Sequence, residues 1–205
     1  MKLMAVNGSP RKGGNTELMI DRVIEGYLSK TDADVEKIFV AEKKIGYCSG
    51  CLTCTFPPPG TDRCAIEDDM AEILEHMQAT DAFIFGTPNH MRTASAPLLN
   101  FLARMLPLLE FLPETDERGN MIGGEFTSKL KGKKAAMVIS QGDPYFSSAL
   151  VHEVLERNLG DFKFRRIGDV TGLGNMAKGD VAGNEEVLKK AFDLGVNLFT
   201  WVGLY

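Results

Sequence analysis

Short apolar runs alternate along the chain with longer segments whose apolar residues recur every three or four positions. The runs lie at residues 3–6, 35–40, 82–85, 135–139 and 162–170. These runs do not alternate between apolar and polar residues. The lack of alternation is typical of strands that are buried on both faces of a parallel sheet. The sequence therefore predicts an α/β fold, with a doubly wound five-stranded parallel sheet and helices on both faces.

The segments between these runs have the period of amphipathic helices. Helices are predicted at about 16–28, from Asp68 to about Met77, and at 94–109, 147–159 and 184–200. The stretch 110–128 contains one proline and three glycines, and is predicted to be an inserted loop. A chain of 205 residues has room for one well-buried core. We therefore expect a single domain over residues 1–205.

Charge and hydropathy exclude several classes of partner. The formal charge of −5 does not suit a nucleic-acid-binding protein, and the basic run KLKGKK at 129–134 is interpreted as a solvated turn. The apolar stretch at the N-terminus is too short for a signal peptide, and no later run is long enough to span a bilayer. We therefore expect a cytoplasmic protein without a nucleic-acid or membrane partner.

Residues 8–16, GSPRKGGNT, connect the first strand to the first helix. Ligands of such sheets bind at the carboxyl ends of the strands, and a helix N-terminus favours an anion. The loop lacks the Gly-Lys-Ser/Thr ending of a P-loop and the glycine spacing of a dinucleotide site. Its donors Ser9, Arg11, Asn15 and Thr16 suit a terminal phosphate held without magnesium. An ordinary turn before a capped helix is the alternative.

The four cysteines of the chain are Cys48, Cys51, Cys54 and Cys64. In a reducing compartment, clustered cysteines indicate metal or redox chemistry rather than structural disulfides. The spacing C-x-x-C-x-x-C fits a cubane cluster better than zinc, whose ligands usually form two separated pairs. Cys64 would be the fourth ligand, brought back by the turn at residues 57–60. Zinc, a thiol–disulfide role and the absence of any metal remain open alternatives.

Four motifs together resemble a known family. They are the loop GSPRKGGNT, the cysteine segment 48–70, GTPNHM at 86–91 and APLLNFLAR at 96–104. This combination resembles the flavodoxin-like NAD(P)H-dependent FMN reductases and, within them, the iron–sulfur flavoproteins. The resemblance implies a flavodoxin-like fold, an FMN cofactor and oxidoreductase activity. It also implies a 4Fe–4S cluster in the cysteine loop 46–66, with ferredoxin or NAD(P)H as electron donor.

The resemblance places FMN on the loops after the first, third and fourth strands. The flavin supplies the redox chemistry, so no catalytic acid or nucleophile is assigned, and a direct role for His90 is left open. The implied cofactor-binding residues are Ser9, Arg11, Gly14, Asn15, Thr16, Thr87, Pro88, Asn89, His90, Met91, Ser140, Gly142, Asp143 and Tyr145. The implied metal ligands are Cys48, Cys51, Cys54 and Cys64.

Three hypotheses for the function follow. The first is a redox protein of the iron–sulfur flavoprotein type that passes electrons from an external donor to a small acceptor. The second is a cluster-free NAD(P)H-dependent reductase of FMN, quinones or azo compounds, and the third is a non-enzymatic regulatory or scaffold protein. The segment 97–112 is more apolar than one buried helix face requires, which indicates either a subunit interface or a helix buried on all sides. The resembled family forms dimers and tetramers, so we expect a homodimer or homotetramer.

Overall fold

The computed structural model describes residues 1–56 and 64–201 of the chain. The strands are β1 (Lys2–Asn7), β2 (Asp34–Phe39), β3 (Ala82–His90), β4 (Thr93–Ala94), β5 (Leu109–Thr115), β6 (Met121–Ser128), β7 (Lys134–Ser140) and β8 (Arg165–Gly172). The helices are α1 (Asn15–Leu28), α2 (Met70–Ala79), α3 (Ala96–Arg104), α4 (Ala149–Asp161) and α5 (Glu185–Thr200). The predicted turn at residues 57–60 lies outside the described residues.

Five parallel strands form the central sheet in the order β2-β1-β3-β7-β8. Each neighbouring pair is parallel, and helices connect most of the strands. The chain order reverses between β1 and β3, which is the switch point where doubly wound sheets bind ligands. This architecture confirms the predicted α/β fold.

The core divides into two layers because successive residues of a strand point to opposite faces of the sheet. Leu3 and Ala5 of β1 pack with α1 and α5, whereas Met4 and Val6 pack with α2, α3 and α4. All four side chains are essentially inaccessible to water. The apolar runs in the sequence are therefore continuous because both of their faces are covered.

The strand β3 is longer than its apolar run predicts. It continues through Pro88 to His90, and the turn falls at Met91 and Arg92, not at the proline. The ladder to β1 ends at Gly86, so the missing N–H of Pro88 costs no hydrogen bond on that side. Met91 and Arg92 adopt φ of 50° and 69° in the two-residue connection to β4. Residues other than glycine carry backbone strain in this left-handed region.

The predicted inserted loop at 110–128 is a β-hairpin. Strands β5 and β6 pair from Leu109–Ser128 to Thr115–Met121 and form a separate two-stranded sheet. The predicted helix at 94–109 is shorter, because α3 ends at Arg104 and a single 3-10 turn leads into β5. Within the described part of the chain, no helix is long and apolar enough to cross a bilayer.

Candidate functional site

A cleft lies where the carboxyl ends of four parallel strands meet. The register places Asn7 beside Gly86, Pro88 beside Ser140, and Ser140 beside Gly172. The segments that follow these residues therefore surround one space at the switch point of the sheet. Its lining residues belong to four segments, and they are Ser9, Arg11, Gly14, Asn15, Thr16, Pro88, Asn89, His90, Ser140, Gln141, Gly142, Asn175, Met176 and Lys178.

The loop after β1 is fixed closely against the end of β3. The Gly8 N–H donates to the Gly86 carbonyl at 2.8 Å, and the Ser95 hydroxyl donates to the Gly8 carbonyl at 2.6 Å. A Cβ atom at Gly8 would come within 2.5 Å of Leu98 Cβ, so a larger residue would push the loop outward. Ser9 is buried and its hydroxyl accepts the Arg11 N–H at 3.2 Å. The loop is thus a rigid element at the start of α1.

Two buried hydroxyls form the floor of the cleft. Thr16 Oγ1 and Ser140 Oγ lie 2.7 Å apart, and Thr16 belongs to the first turn of α1. This contact joins the helix to the end of β7. The positive end of the α1 dipole therefore points towards a floor that carries hydroxyl groups, an arrangement that favours a phosphate.

Asn15 connects the loop after β1 to the loop after β8. Its Nδ2 donates to the carbonyls of Asn175 and Ala177, both at 2.9 Å, and its Oδ1 accepts the Val181 N–H at 3.1 Å. These three bonds occupy the side-chain amide, so only the backbone of Asn15 faces a ligand. The residue predicted as a phosphate donor therefore holds two walls of the cleft together.

Gln141 organises the opposite wall. Its Nε2 donates to the carbonyls of Asp143 and Phe146 at 2.5 and 2.6 Å, and its Oε1 accepts from Asn89 Nδ2 at 2.5 Å. The Oδ1 atom of Asn89 is buried and has no hydrogen-bond partner among the described residues. An unsatisfied buried acceptor on the wall of a cleft fits a ligand with a ring N–H, as the isoalloxazine of FMN has.

Two cations line the cleft near the first loop. Arg11 belongs to that loop, and Lys178 approaches it from the loop after β8, since a Cβ at Gly13 would lie 3.3 Å from Lys178 Cε. Within residues 1–56 and 64–201, neither side chain forms a salt bridge. The adjacent Lys12 instead pairs with Glu42 and so does not line the cleft. The cleft thus presents two positive charges beside a helix N-terminus.

The cleft collects most of the predicted cofactor-binding residues. Those that line it are Ser9, Arg11, Gly14, Asn15, Thr16, Pro88, Asn89, His90, Ser140 and Gly142. Four others do not. Thr87 is fully buried and hydrogen-bonded to Ser95, Asp143 accepts the Tyr145 N–H, and Met91 and Tyr145 are about 95% and 94% exposed.

Sequence reasoning missed four residues of the lining: Gln141, Asn175, Met176 and Lys178. Three of them follow β8, whereas the sequence predicts ligand contacts only for the loops after the first, third and fourth strands. The glycines at positions 172 and 174 mark a turn at the carboxyl end of that strand. This signal could have added the fourth loop to the site.

The surroundings of His90 favour the neutral form of its imidazole. Partial desolvation lowers the pKa of His90 below its ordinary value, and the nearby charge of Arg11 lowers it further. We expect an NMR titration of the ligand-free protein to give a midpoint below about 6.5. The Arg11→Gln variant should move this midpoint upward, and the variant Lys12→Gln should leave it in place. A midpoint at or above the ordinary value in the wild-type protein would contradict this assignment.

The cysteine loop begins at the same edge of the sheet as the cleft. It follows β2, whose last residue Phe39 lies beside Asn7 of β1. Cys48 and Cys51 are exposed, whereas Cys54 and Cys64 are half-buried. The Thr53 hydroxyl donates to Cys51 Sγ at 3.4 Å and lowers the pKa of that thiol.

The cysteines fit an iron–sulfur group in type, but they do not form a closed site. Burial raises the pKa of Cys54, and the charges of Cys64 and Cys48 raise it further. Within the described ranges, no three cysteine, histidine or acidic side chains are close enough together to hold a metal ion. The segment between Cys54 and Cys64 lies partly outside those ranges.

The chain is similar in sequence to two kinds of flavoprotein. The sequence profile of the NADPH-dependent FMN reductases matches residues 1–158. An iron–sulfur flavoprotein from Archaeoglobus fulgidus is 31% identical over 198 residues, which cover 95% of this chain and 77% of that protein. An iron–sulfur flavoprotein from Methanosarcina thermophila is 34% identical over 98 residues, and the match spans only 49% of its length.

The fold also matches a solved structure over nearly its whole length. An FMN-dependent NADH-azoreductase from Bacillus anthracis superposes with a TM-score of 0.71 at 12% identity, covering 98% of this chain and 100% of that one. At this identity the likeness extends to the fold alone. It confirms the flavodoxin-like architecture.

Proposed function

Because this chain belongs to the NADPH-dependent FMN reductase family, we propose that it holds FMN in the cleft at the switch point of its sheet. The protein is a flavin-dependent oxidoreductase, which removes the regulatory or scaffold hypothesis. The observation that carries the assignment is the meeting of two cations and two buried hydroxyls at the N-terminus of α1.

The cleft offers different groups to the two ends of FMN. Ser9, Arg11, Thr16 and Lys178 would hold the phosphate, since charged and hydroxyl donors suit an anion. Asn89 and the backbone of 140–142 would contact the ring, with the buried Oδ1 of Asn89 accepting from a ring N–H. FMN supplies the electron-transfer chemistry when bound, and the protein binds and orients it.

We further propose that the cysteine loop holds a 4Fe–4S cluster through Cys48, Cys51, Cys54 and Cys64. The similarity to two iron–sulfur flavoproteins supports this assignment. So does the position of the loop after β2, beside the strand whose loop would hold the phosphate. In this proposal, ferredoxin or NAD(P)H supplies electrons and a small molecule accepts them.

One observation favours a second candidate, a cluster-free NAD(P)H-dependent reductase of FMN, quinones or azo compounds. Cys48 and Cys51 are exposed, and the described residues do not bring three ligands together. The Bacillus anthracis protein that shares this fold is an FMN-dependent NADH-azoreductase.

Anaerobic purification distinguishes the two candidates. We expect flavin absorbance with a broad iron–sulfur shoulder, one FMN and about four iron atoms per chain. The Cys64→Ser variant should lose most of its iron but keep FMN, because Cys64 does not line the cleft. Tyr47→Phe, an exposed position beside Cys48, should keep both.

Flavin without iron in the purified protein would favour the cluster-free reductase. Absence of flavin after reconstitution with FMN would overturn the assignment of the cleft. Bleaching of the flavin bands by NAD(P)H, or only by reduced ferredoxin, identifies the donor.

We also propose that the chain forms a homodimer or homotetramer, but through the hairpin β5–β6 and not through residues 97–108 of the predicted segment 97–112. Most apolar side chains of that segment up to Leu108 are buried within the chain. The hairpin β5–β6 instead exposes Leu112, Met121, Ile122 and Phe126 by 44% or more. A two-stranded sheet is marginally stable alone, so a cover on this hairpin would stabilise it.

A further inference from the structure

Arg104 is a buried cation at the end of α3. Its side chain is 1% exposed, and its guanidinium forms a bidentate pair with Asp68. Nη1 lies 2.6 Å from Asp68 Oδ2, and Nη2 lies 3.0 Å from Asp68 Oδ1. A charge is buried at this depth only when its partners compensate for lost hydration. Nε is buried and has no hydrogen-bond partner among the described residues.

The guanidinium joins the two ends of the cysteine loop. Nη1 also donates to the Gly46 carbonyl at 2.8 Å, two residues before Cys48, and Nη2 lies 3.7 Å from Cys64 Sγ, within contact range for sulfur. Asp68 completes the closure, because its Oδ2 accepts the Gly46 N–H at 2.7 Å. One ion pair therefore fixes the chain before the first cysteine and after the last.

Both members of the pair stay ionised at neutral pH. Burial by itself would raise the pKa of Asp68, but hydrogen bonds from Arg104 and from the Gly46 and Met70 N–H groups hold it below its ordinary value. Arg104 is protonated, as arginines in proteins always are, and its N–H groups donate to the Asp68 carboxylate. A permanent positive charge thus lies beside Cys64 Sγ.

We propose that Arg104 is a positioning residue of the cysteine loop, which holds Cys64 as the fourth ligand and compensates the negative charge at its sulfur. This inference rests on the proposed iron–sulfur site. Hydrogen bonds to ligand sulfurs and the net charge nearby set the reduction potential of such a site. Arg104 therefore raises that potential, because reduction adds negative charge next to its guanidinium.

The test uses variants that break the same ion pair but change the charge in opposite directions. Arg104→Met removes a positive charge, and should lower the midpoint potential measured by EPR-monitored titration of the holoprotein. Asp68→Asn removes a negative charge, and should raise it. Arg104→Lys keeps the positive charge but loses the planar guanidinium that pairs with Asp68 through two hydrogen bonds. The midpoint potential of this variant should therefore lie between those of the wild type and Arg104→Met.

Hydrogen exchange of the iron-depleted protein reports on loop closure separately. The Gly46 and Met70 amides should exchange at least tenfold faster in Arg104→Lys than in the wild type. Arg157→Met, which breaks an exposed pair with Glu153 on α4, is the matched control and should change neither the exchange nor the potential.

The outcomes separate this inference from the proposed function. A wild-type protein without iron overturns the iron–sulfur assignment and, with it, the role of Cys64. Iron in the wild type with unchanged exchange in Arg104→Lys overturns only the present inference. So does a shift of the potential in the same direction for Arg104→Met and Asp68→Asn, which would indicate a merely structural pair.

Discussion

The double variant Arg11→Gln, Lys178→Gln will bind FMN about a hundredfold more weakly than the wild-type protein. Both side chains line the cleft beside the N-terminus of α1, and neither has an acidic partner in the described part of the chain. A hydrogen bond from a charged group contributes about 1.5–3 kcal/mol. Two such bonds at the lower end of this range, as suits a partly exposed site, amount to about 3 kcal/mol, or a hundredfold. Isothermal titration of the apoprotein with FMN measures the loss.

Two controls assign the loss to the phosphate. Lys12→Gln makes the same change of charge in the same loop, but Lys12 pairs with Glu42 outside the cleft, so FMN affinity should stay nearly constant. Riboflavin lacks the phosphate, and its affinity should be similar in the double variant and the wild type. Equal losses for FMN and riboflavin would show that the two cations act on the ring or on the fold.

The sequence identifies the loop after β1 as part of the cleft because the residues of this loop are contiguous. Ser9 to Thr16 follow a strand that the apolar run identifies, and the motif alone excludes other phosphate-binding loops. The cleft segments after the apolar runs of β3 and β7 are predicted for the same reason, since each directly follows its run. Register then brings these three loops together without further information.

Residues of the loop after β8 escape such reasoning because their role depends on tertiary contacts. Asn175 and Lys178 enter the cleft since Gly172 pairs with Ser140 and since Asn15 holds the following loop in place. No local pattern distinguishes an asparagine that binds phosphate from one that binds backbone carbonyls. The side-chain role of Asn15 is thus visible only in the folded structure.

The composition of the hairpin at 109–128 favours a loop, which is why the sequence does not predict its two strands. Pro113, Gly123 and Gly124 lie inside its strands, and these residue types usually mark loops. Their presence has a steric reason at one position, because a Cβ at Gly124 would lie 2.4 Å from the Phe111 ring. The glycine leaves room for an aromatic side chain that lies across the neighbouring strand.

The role of a glycine within a helix can also be recognised only from the packing of that helix, as the contact between α1 and α5 illustrates. A Cβ at Gly195 of α5 would lie 1.9 Å from the Val23 carbonyl oxygen, and one at Gly26 of α1 would lie 2.0 Å from the Phe192 carbonyl oxygen. The two helix backbones therefore touch where these glycines face the opposite helix. Replacement of either glycine must separate helices that cover one whole face of the sheet.

The Gly195→Ala variant will consequently lose about 3 kcal/mol of unfolding free energy, the upper end of the usual cost of overpacking, because rigid backbone obstructs the new methyl group. This result is opposite to the ordinary effect, since alanine in a helix is more stable than glycine by about 0.5–1 kcal/mol. Gly160→Ala in α4 is the matched control: no atom lies within 4 Å of the added Cβ, and the variant should be slightly stabilised. Urea denaturation followed by circular dichroism measures both changes. If Gly195→Ala proves as stable as the wild type, the backbone contact between α1 and α5 is looser than the structure indicates.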